Sequence, residues 1–169
     1  TRKRSSAASD VYKRQREEAF DRIKAAVDAR ENDDILIMAR TDARHEHGLG
    51  EAIDRAAKFA ELGADILFVE APKTVAEMRQ VCDELPGPKM ANIVEGGETP
   101  NLTHEELRDI GYAIAAYPLT LMATAMQAMT KALHALRDDT DRSPLLMDFA
   151  ELRDRIGFNE YYTTSAAYE

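Results

Sequence analysis

Four apolar stretches of this chain end in residues that a buried strand does not need. ILIMA runs into Arg40-Thr41-Asp42, and ILFV runs into Glu70. KMANIVEGG carries Asn92 and Glu95 ahead of Gly96-Gly97, and IAAYP ends in Tyr117-Pro118. An arginine fork suits a planar carboxylate, because two parallel N–H donors meet two oxygens. A charge is costly to bury unless it is paired, so polar groups at successive strand ends point to a common task. Each residue also has a plain structural use. Arg40 can pair with Asp42 or Glu70, and Asn92 can tie down a loop. Four strand ends of the same character in succession favour a site.

The elements that would position these residues follow a regular rhythm. REEAFDRIKAAVDAR places Phe20, Ile23 and Val27 on one helical face. DDILIMA is a continuous apolar run, which predicts a strand buried on both faces. GEAIDRAAKFAELGA predicts a helix with Ile53, Ala56, Ala57 and Ala60 inward and Gly63 at its end. DILFVEA is a second strand. TVAEMRQVCDELPG predicts a helix with Thr74 and Glu77 in capping-box spacing and Val75, Met78, Cys82 and Leu85 inward. PKMANIVEGG is a third strand. LTHEELRDIG is a helix with a second capping box, Thr103 and Glu106, and a terminal Gly111. YAIAAYPLT is a fourth strand. The long amphipathic TLMATAMQAMTKALHALRDD follows, then SPLLMDFAELRDRIGFNEYY after a break at Ser143-Pro144. Strands alternating with helices predict an α/β fold with a parallel sheet, whose site lies at the carboxyl ends of the strands. No strand is followed by a G-x-G-x-x-G turn, so a Rossmann nucleotide site is not indicated, and no G-x-x-x-x-G-K-[ST] loop is present.

The composition narrows the class. The 169 residues are 44% hydrophobic and 31% charged, which suits one soluble domain with a real core. A net charge of −9 argues against a general nucleic-acid surface. No apolar run is long enough to span a bilayer. The single cysteine, Cys82, forbids an intramolecular disulfide and suits a cytoplasmic setting. The first stretch, TRKRSSAASDVYKRQ, holds five basic residues and three serines with little apolar periodicity. Residues 1–15 therefore read as a foreign or disordered leader, with a basic arm for an acidic partner as the alternative.

Other chemistry-bearing residues have simpler explanations. His45 and His47 have an H-x-H spacing, but they follow the strand end by several residues beside Arg44, which predicts a solvated loop rather than a metal site. His104 and His134 fall on helices. Cys82 has core spacing and reads as inert. Met122, Met126 and Met129 have helical spacing and read as core or interface packing.

The motifs ARTDA, GADILFVEAP, ANIVEGGETP and AAYPLT, in this order, resemble the isocitrate lyase and phosphoenolpyruvate mutase superfamily, with its dimethylmalate lyase and carboxyphosphonoenolpyruvate mutase-like branch foremost. The resemblance runs from about Arg16 to Tyr162. It implies a (β/α)8 barrel with a C-terminal helical segment exchanged between subunits, and chemistry through a Mg2+-held enolate. It implies that Arg40 binds a substrate carboxylate or the developing oxyanion. Glu70 would belong to the polar ring behind the substrate, with Asn92, Glu95 and Gly96 on the substrate side. The activity implied is a Mg2+-dependent carbon–carbon lyase of a 2-hydroxy dicarboxylate. The alternatives are P–C bond chemistry on a phosphonopyruvate-like substrate, and hydrolysis or decarboxylation of oxaloacetate. Methylisocitrate lyases carry an arginine shortly after Tyr-Pro-Leu, where this chain has Ala123.

The chain supplies four βα units of the eight and lacks the family's acidic metal motif and cysteine loop. It is therefore expected to be the C-terminal half of the barrel, over residues 16–142, with 143–169 as the helical extension. The Mg2+ ligands are expected in the other half, and a dimer or tetramer with helix swapping is expected in the whole protein. A truncated piece without activity is the remaining expectation.

Overall fold

The computed structural model describes residues 16–30 and 34–168. The leader expected over residues 1–15 lies outside the described residues. By their internal contacts the residues fall into two compact units, one ending at Thr120 and one beginning at Leu121.

In the first unit, helix α1 (Arg16–Arg30) precedes strand β1 (Met38–Thr41). A short helix α2 (Ala43–His47) and helix α3 (Leu49–Glu61) lead to β2 (Ile66–Val69). Helix α4 (Val75–Glu84), β3 (Met90–Asn92), α5 (His104–Ile110) and β4 (Ile114–Ala116) follow. β1 and β2 pair in parallel, as do β3 and β4. A parallel bridge between Leu67 and Lys89 joins the two pairs, so the strands succeed one another in chain order. The expected α/β architecture with parallel strands is present.

Two apolar clusters hold this unit, and α4 serves both. Val81 and Leu85 join Ala39, Ile53, Ala56, Phe59, Leu67 and Val69 in the first. Met78 and Cys82 join Ala91, Ile93, Leu107, Ile110 and Tyr112 in the second. Phe20 and Ile23 of α1 pack on the first cluster, with Phe20 edge-on to Phe59 at 6.0 Å. α4 departs from expectation at one position: Val75, expected inward, is 37% exposed, and Val81 is buried in its stead. Val75 lies at the first position of the helix, one turn short of the strands that cover Met78.

Helix ends use local chemistry. α5 has the complete capping box of Thr103 and Glu106. α4 has only half of one: the Thr74 hydroxyl accepts from the Glu77 N–H, but the Glu77 carboxylate turns to Lys73 N–H and Arg44 instead. α3 ends in a Schellman pair, Gly63 N–H to Ala60 O and Ala64 N–H to Phe59 O, both 3.0 Å. That turn needs φ of 101° at Gly63, and a Cβ there would stand 3.0 Å from Val27 Cγ1.

β1 departs from expectation. Its residues alternate between exposed and buried, so it is not covered on both faces. Ile35 and Leu36 precede it and are 58% and 66% exposed. Ala39 and Thr41 meet the helices, whereas Met38 and Arg40, on the other face of the strand, are exposed. β2 is buried throughout. RHEHG, expected to be a loop, forms most of α2, with Arg44 anchored to Glu77.

The second unit contains most of helix α6 (Thr120–Arg137), a 3-10 turn (Ser143–Leu145), α7 (Phe149–Arg155), α8 (Phe158–Ser165) and a last 3-10 turn (Ala166–Tyr168). The stretch expected as one helical segment is broken by Gly157 at φ 84°, which separates α7 from α8. No residue of 121–168 is buried. No described helix is long and apolar enough to cross a membrane.

Candidate active site

Alternation along the strands decides which groups meet. Leu67, Val69 and Ala91 enter the apolar clusters on the helix side. Residues of the other parity, Arg40, Phe68, Glu70 and Asn92, share the opposite face. At the carboxyl ends of β1, β2 and β3, three of the groups singled out in the sequence come together. Arg40 Nη2 lies 3.5 Å from Glu70 Oε2. Asn92 Nδ2 donates to both Glu70 oxygens at 3.4 Å. The plain alternative of an Arg40–Asp42 pair is present as well: Nη2 to Oδ1 is 2.7 Å and Nε to Oδ2 is 3.1 Å. The Asp42 side chain is only 9% exposed and the Arg40 side chain 45%, so the aspartate is a fixed base under a reachable cation.

The backbone here is strained just beyond Glu70. Ala71 adopts φ of 56° before Pro72, a conformation that costs a residue with a Cβ about 1–2 kcal/mol. It turns the chain directly after the carboxylate. Sequence reading passed over it, since alanine gives no signal for a left-handed turn.

Glu95 and Gly96 belong to the next loop. Glu95 accepts from the Thr120 hydroxyl at 2.7 Å, which holds its carboxyl below the usual range. Gly96 has φ of 79°, which fits the turn that follows β3. Neither is hydrogen-bonded to the Arg40–Glu70–Asn92 group in the contacts found among the described residues.

A second network braces the same rim. Arg44 grips Glu77 with two N–H groups, at 2.6 and 3.1 Å. These bonds, assisted by the Lys73 N–H, hold the Glu77 carboxyl below its ordinary pKa against the opposing effect of burial. Lys73 Nζ in turn lies 3.4 Å from Glu98 in the glycine loop. The loops after β1, β2 and β3 are thereby tied together. Cys82 is buried, and burial pushes its thiol up to about 11, so it is a protonated core residue at neutral pH.

Among the described residues, no group of three or more His, Cys, Asp or Glu side chains is placed to hold a metal ion. The rim carboxylates are engaged, Asp42 and Glu70 by Arg40 and Glu95 by Thr120. This donor set does not fit Mg2+, which needs near-octahedral oxygen ligands.

A sequence model of the phosphoenolpyruvate phosphomutase family matches residues 3–137. The chain belongs to the phosphoenolpyruvate mutase/isocitrate lyase superfamily. Within that superfamily, it is 43% identical over 149 residues to 2,3-dimethylmalate lyase of Eubacterium barkeri, covering 86% of this chain and 51% of that protein. It is 41% identical over 149 residues to 2-methylisocitrate lyase of Escherichia coli K12, covering 86% of this chain and 50% of that one. A crystal structure of 2,3-dimethylmalate lyase superposes with a TM-score of 0.80 at 31% identity, over 92% of this chain and 56% of the other. The chain thus spans about half the length of the curated relatives it matches.

Proposed function

We propose that residues 16–142 form the C-terminal half of a (β/α)8 barrel, with 143–169 as a helical extension. The enzyme that contains it would be a carbon–carbon lyase acting on a 2-hydroxy dicarboxylate in the cytoplasm, as a homo-oligomer. The observation that carries this reading is the convergence of Arg40, Glu70 and Asn92 at three successive strand ends. In the reaction, the substrate hydroxyl loses its proton and the adjacent C–C bond breaks. A 2-oxo acid leaves, and the other fragment departs as a carboxylate enolate that takes up a proton. Arg40 holds a substrate carboxylate or the developing oxyanion, for which a preset guanidinium is suited. Glu70, itself held by the Asn92 amide, pairs with that arginine from the side, and both face the rest of the ligand. Glu95 and Gly96, in the loop after β3, contribute further contacts to the substrate. Mg2+ belongs to this proposal through the superfamily resemblance. The described residues do not form its cage.

The test is release of 2-oxo acid from a panel of substituted malates with Mg2+, by the whole protein that carries this sequence. Activity on at least one is expected, with loss of about two orders of magnitude or more in Arg40→Lys, because the bidentate contact is removed from the transition state. Release from none of the panel would sink the lyase reading. Unchanged turnover in Arg40→Lys would take Arg40 out of the site.

A further inference from the structure

Phe68 stands directly across from Arg40 in the register of β1 and β2. It is 5% exposed, yet it belongs to neither apolar cluster. Its neighbours Leu67 and Val69 turn to the helix side and complete the first cluster. Phe68 faces the other way, and there the Arg40 guanidinium carbon lies over its ring, 4.8 Å from the centroid. The negative face of the ring attracts the cation. The same guanidinium is gripped along one edge by the nearly buried Asp42 carboxylate. A floor from β2 and a side wall from the β1 terminus therefore hold one long side chain in one orientation.

We propose that Phe68 is a positioning residue of the candidate site, whose ring sets the Arg40 guanidinium in the orientation that receives a ligand carboxylate. This rests on the reading of Arg40 as the carboxylate-binding group and adds a residue to it. An arginine on an exposed strand face otherwise samples many rotamers, and a ligand that arrives must order it. Stacking on a ring that is itself locked in the sheet removes that cost before binding. Leucine at position 68 would fill most of the space and remove the attraction.

The experiment uses the whole protein that carries this sequence, isotope-labelled, with malate as the probe and NMR as the readout. In the unsubstituted chain the Arg40 Nε–H and δ-methylene protons are expected upfield, shifted by the Phe68 ring current. Phe68→Leu should abolish that shift and weaken malate binding about three- to tenfold. Phe68→Tyr, which keeps the ring, should restore both. Loss of packing alone would not move the ring-current signature selectively at Arg40. Arg40→Gln supplies a reciprocal readout even if Phe68→Leu fails to fold: the Phe68 ring protons should shift while the core signals stay. Phe68 signals indifferent to Arg40→Gln, Arg40 signals indifferent to Phe68→Leu, or a folded Phe68→Leu chain that binds malate as tightly as the parent would each overturn the proposal. Should the unsubstituted chain keep the ring-current shift but bind no malate, the carboxylate role of Arg40 fails. The proposed purpose of Phe68 then fails with it, while its hold on Arg40 stands as a separate finding.

Discussion

The residues before and after Thr120 use the same kind of amphipathic helix to different ends. In α3, α4 and α5 the apolar face is shut: Phe59 is 2% exposed, Met78 0% and Leu107 2%. In α6 the apolar residues recur at equally good helical spacing, yet Leu121 is 84% exposed, Met126 58% and Leu133 64%. α7 and α8 likewise leave Phe149 and Ile156 at 71% and 60%. The first group of helices each lies over a strand, and none of the second group buries a residue. A periodic apolar face shows that a helix can be covered. What covers it is a property of the assembled molecule.

That contrast can be broken experimentally, beginning with the bulkiest of the fully buried side chains. Phe59→Ala should cost about 3–5 kcal/mol in urea unfolding, through lost burial and an unfilled cavity in the first cluster. A loss under 1 kcal/mol, which is about the cost of a surface change, would contradict the described packing. Glu77→Gln should cost about 1–3 kcal/mol, because Arg44, whose side chain is 14% exposed, loses a charged acceptor. The same variant has a pH signature. The carboxyls of Glu77 and Asp65 both lie below their ordinary values, Glu77 chiefly through Arg44 and Asp65 chiefly through the Ile37 N–H. Lowered folded values mean that the unfolded chain takes up protons first. The stabilisation is thus complete above the ordinary carboxylate pKa and is lost as pH falls through the depressed ones. Melting temperatures should drop on acidification, and the drop should be shallower in Glu77→Gln. Gly63→Ala should cost about 1–2 kcal/mol, since alanine resists the left-handed turn and its Cβ meets Val27. Truncating Val27 as well should recover part of the loss. The smallest effect belongs to the other region. Met126→Ala in dilute chain should change the unfolding free energy by less than about 0.5 kcal/mol. If Met126 instead proves as costly as Phe59, α6 is covered in solution, and the melting temperature should then rise with protein concentration.

Much of the scaffold was legible in the sequence because it depends on short-range physics. The order of strands and helices follows from period and turn residues, and the Thr103–Glu106 box and Gly63 marked helix ends through local hydrogen bonding. Burial was less legible where it depends on what lies above a residue. DDILIMA reads as a doubly buried strand, but Ile35 and Leu36 precede β1 and are exposed. Thr74 and Glu77 have the spacing of a full capping box, but Arg44, distant in sequence, draws the glutamate away.

The candidate site divides along the same line. The sequence by itself determined that Arg40, Glu70 and Asn92 end successive strands, because residue type and apolar run length are written in the chain. Tertiary structure alone decided that they share one face and that Glu70 stands between Arg40 and Asn92, since strand register sets cross-strand neighbours. It also decided that Phe68 lies beneath the guanidinium and that Ala71 turns the chain with φ of 56°. Local sequence has no term for a contact made across two strands, and in this chain such contacts fix the orientation of the arginine.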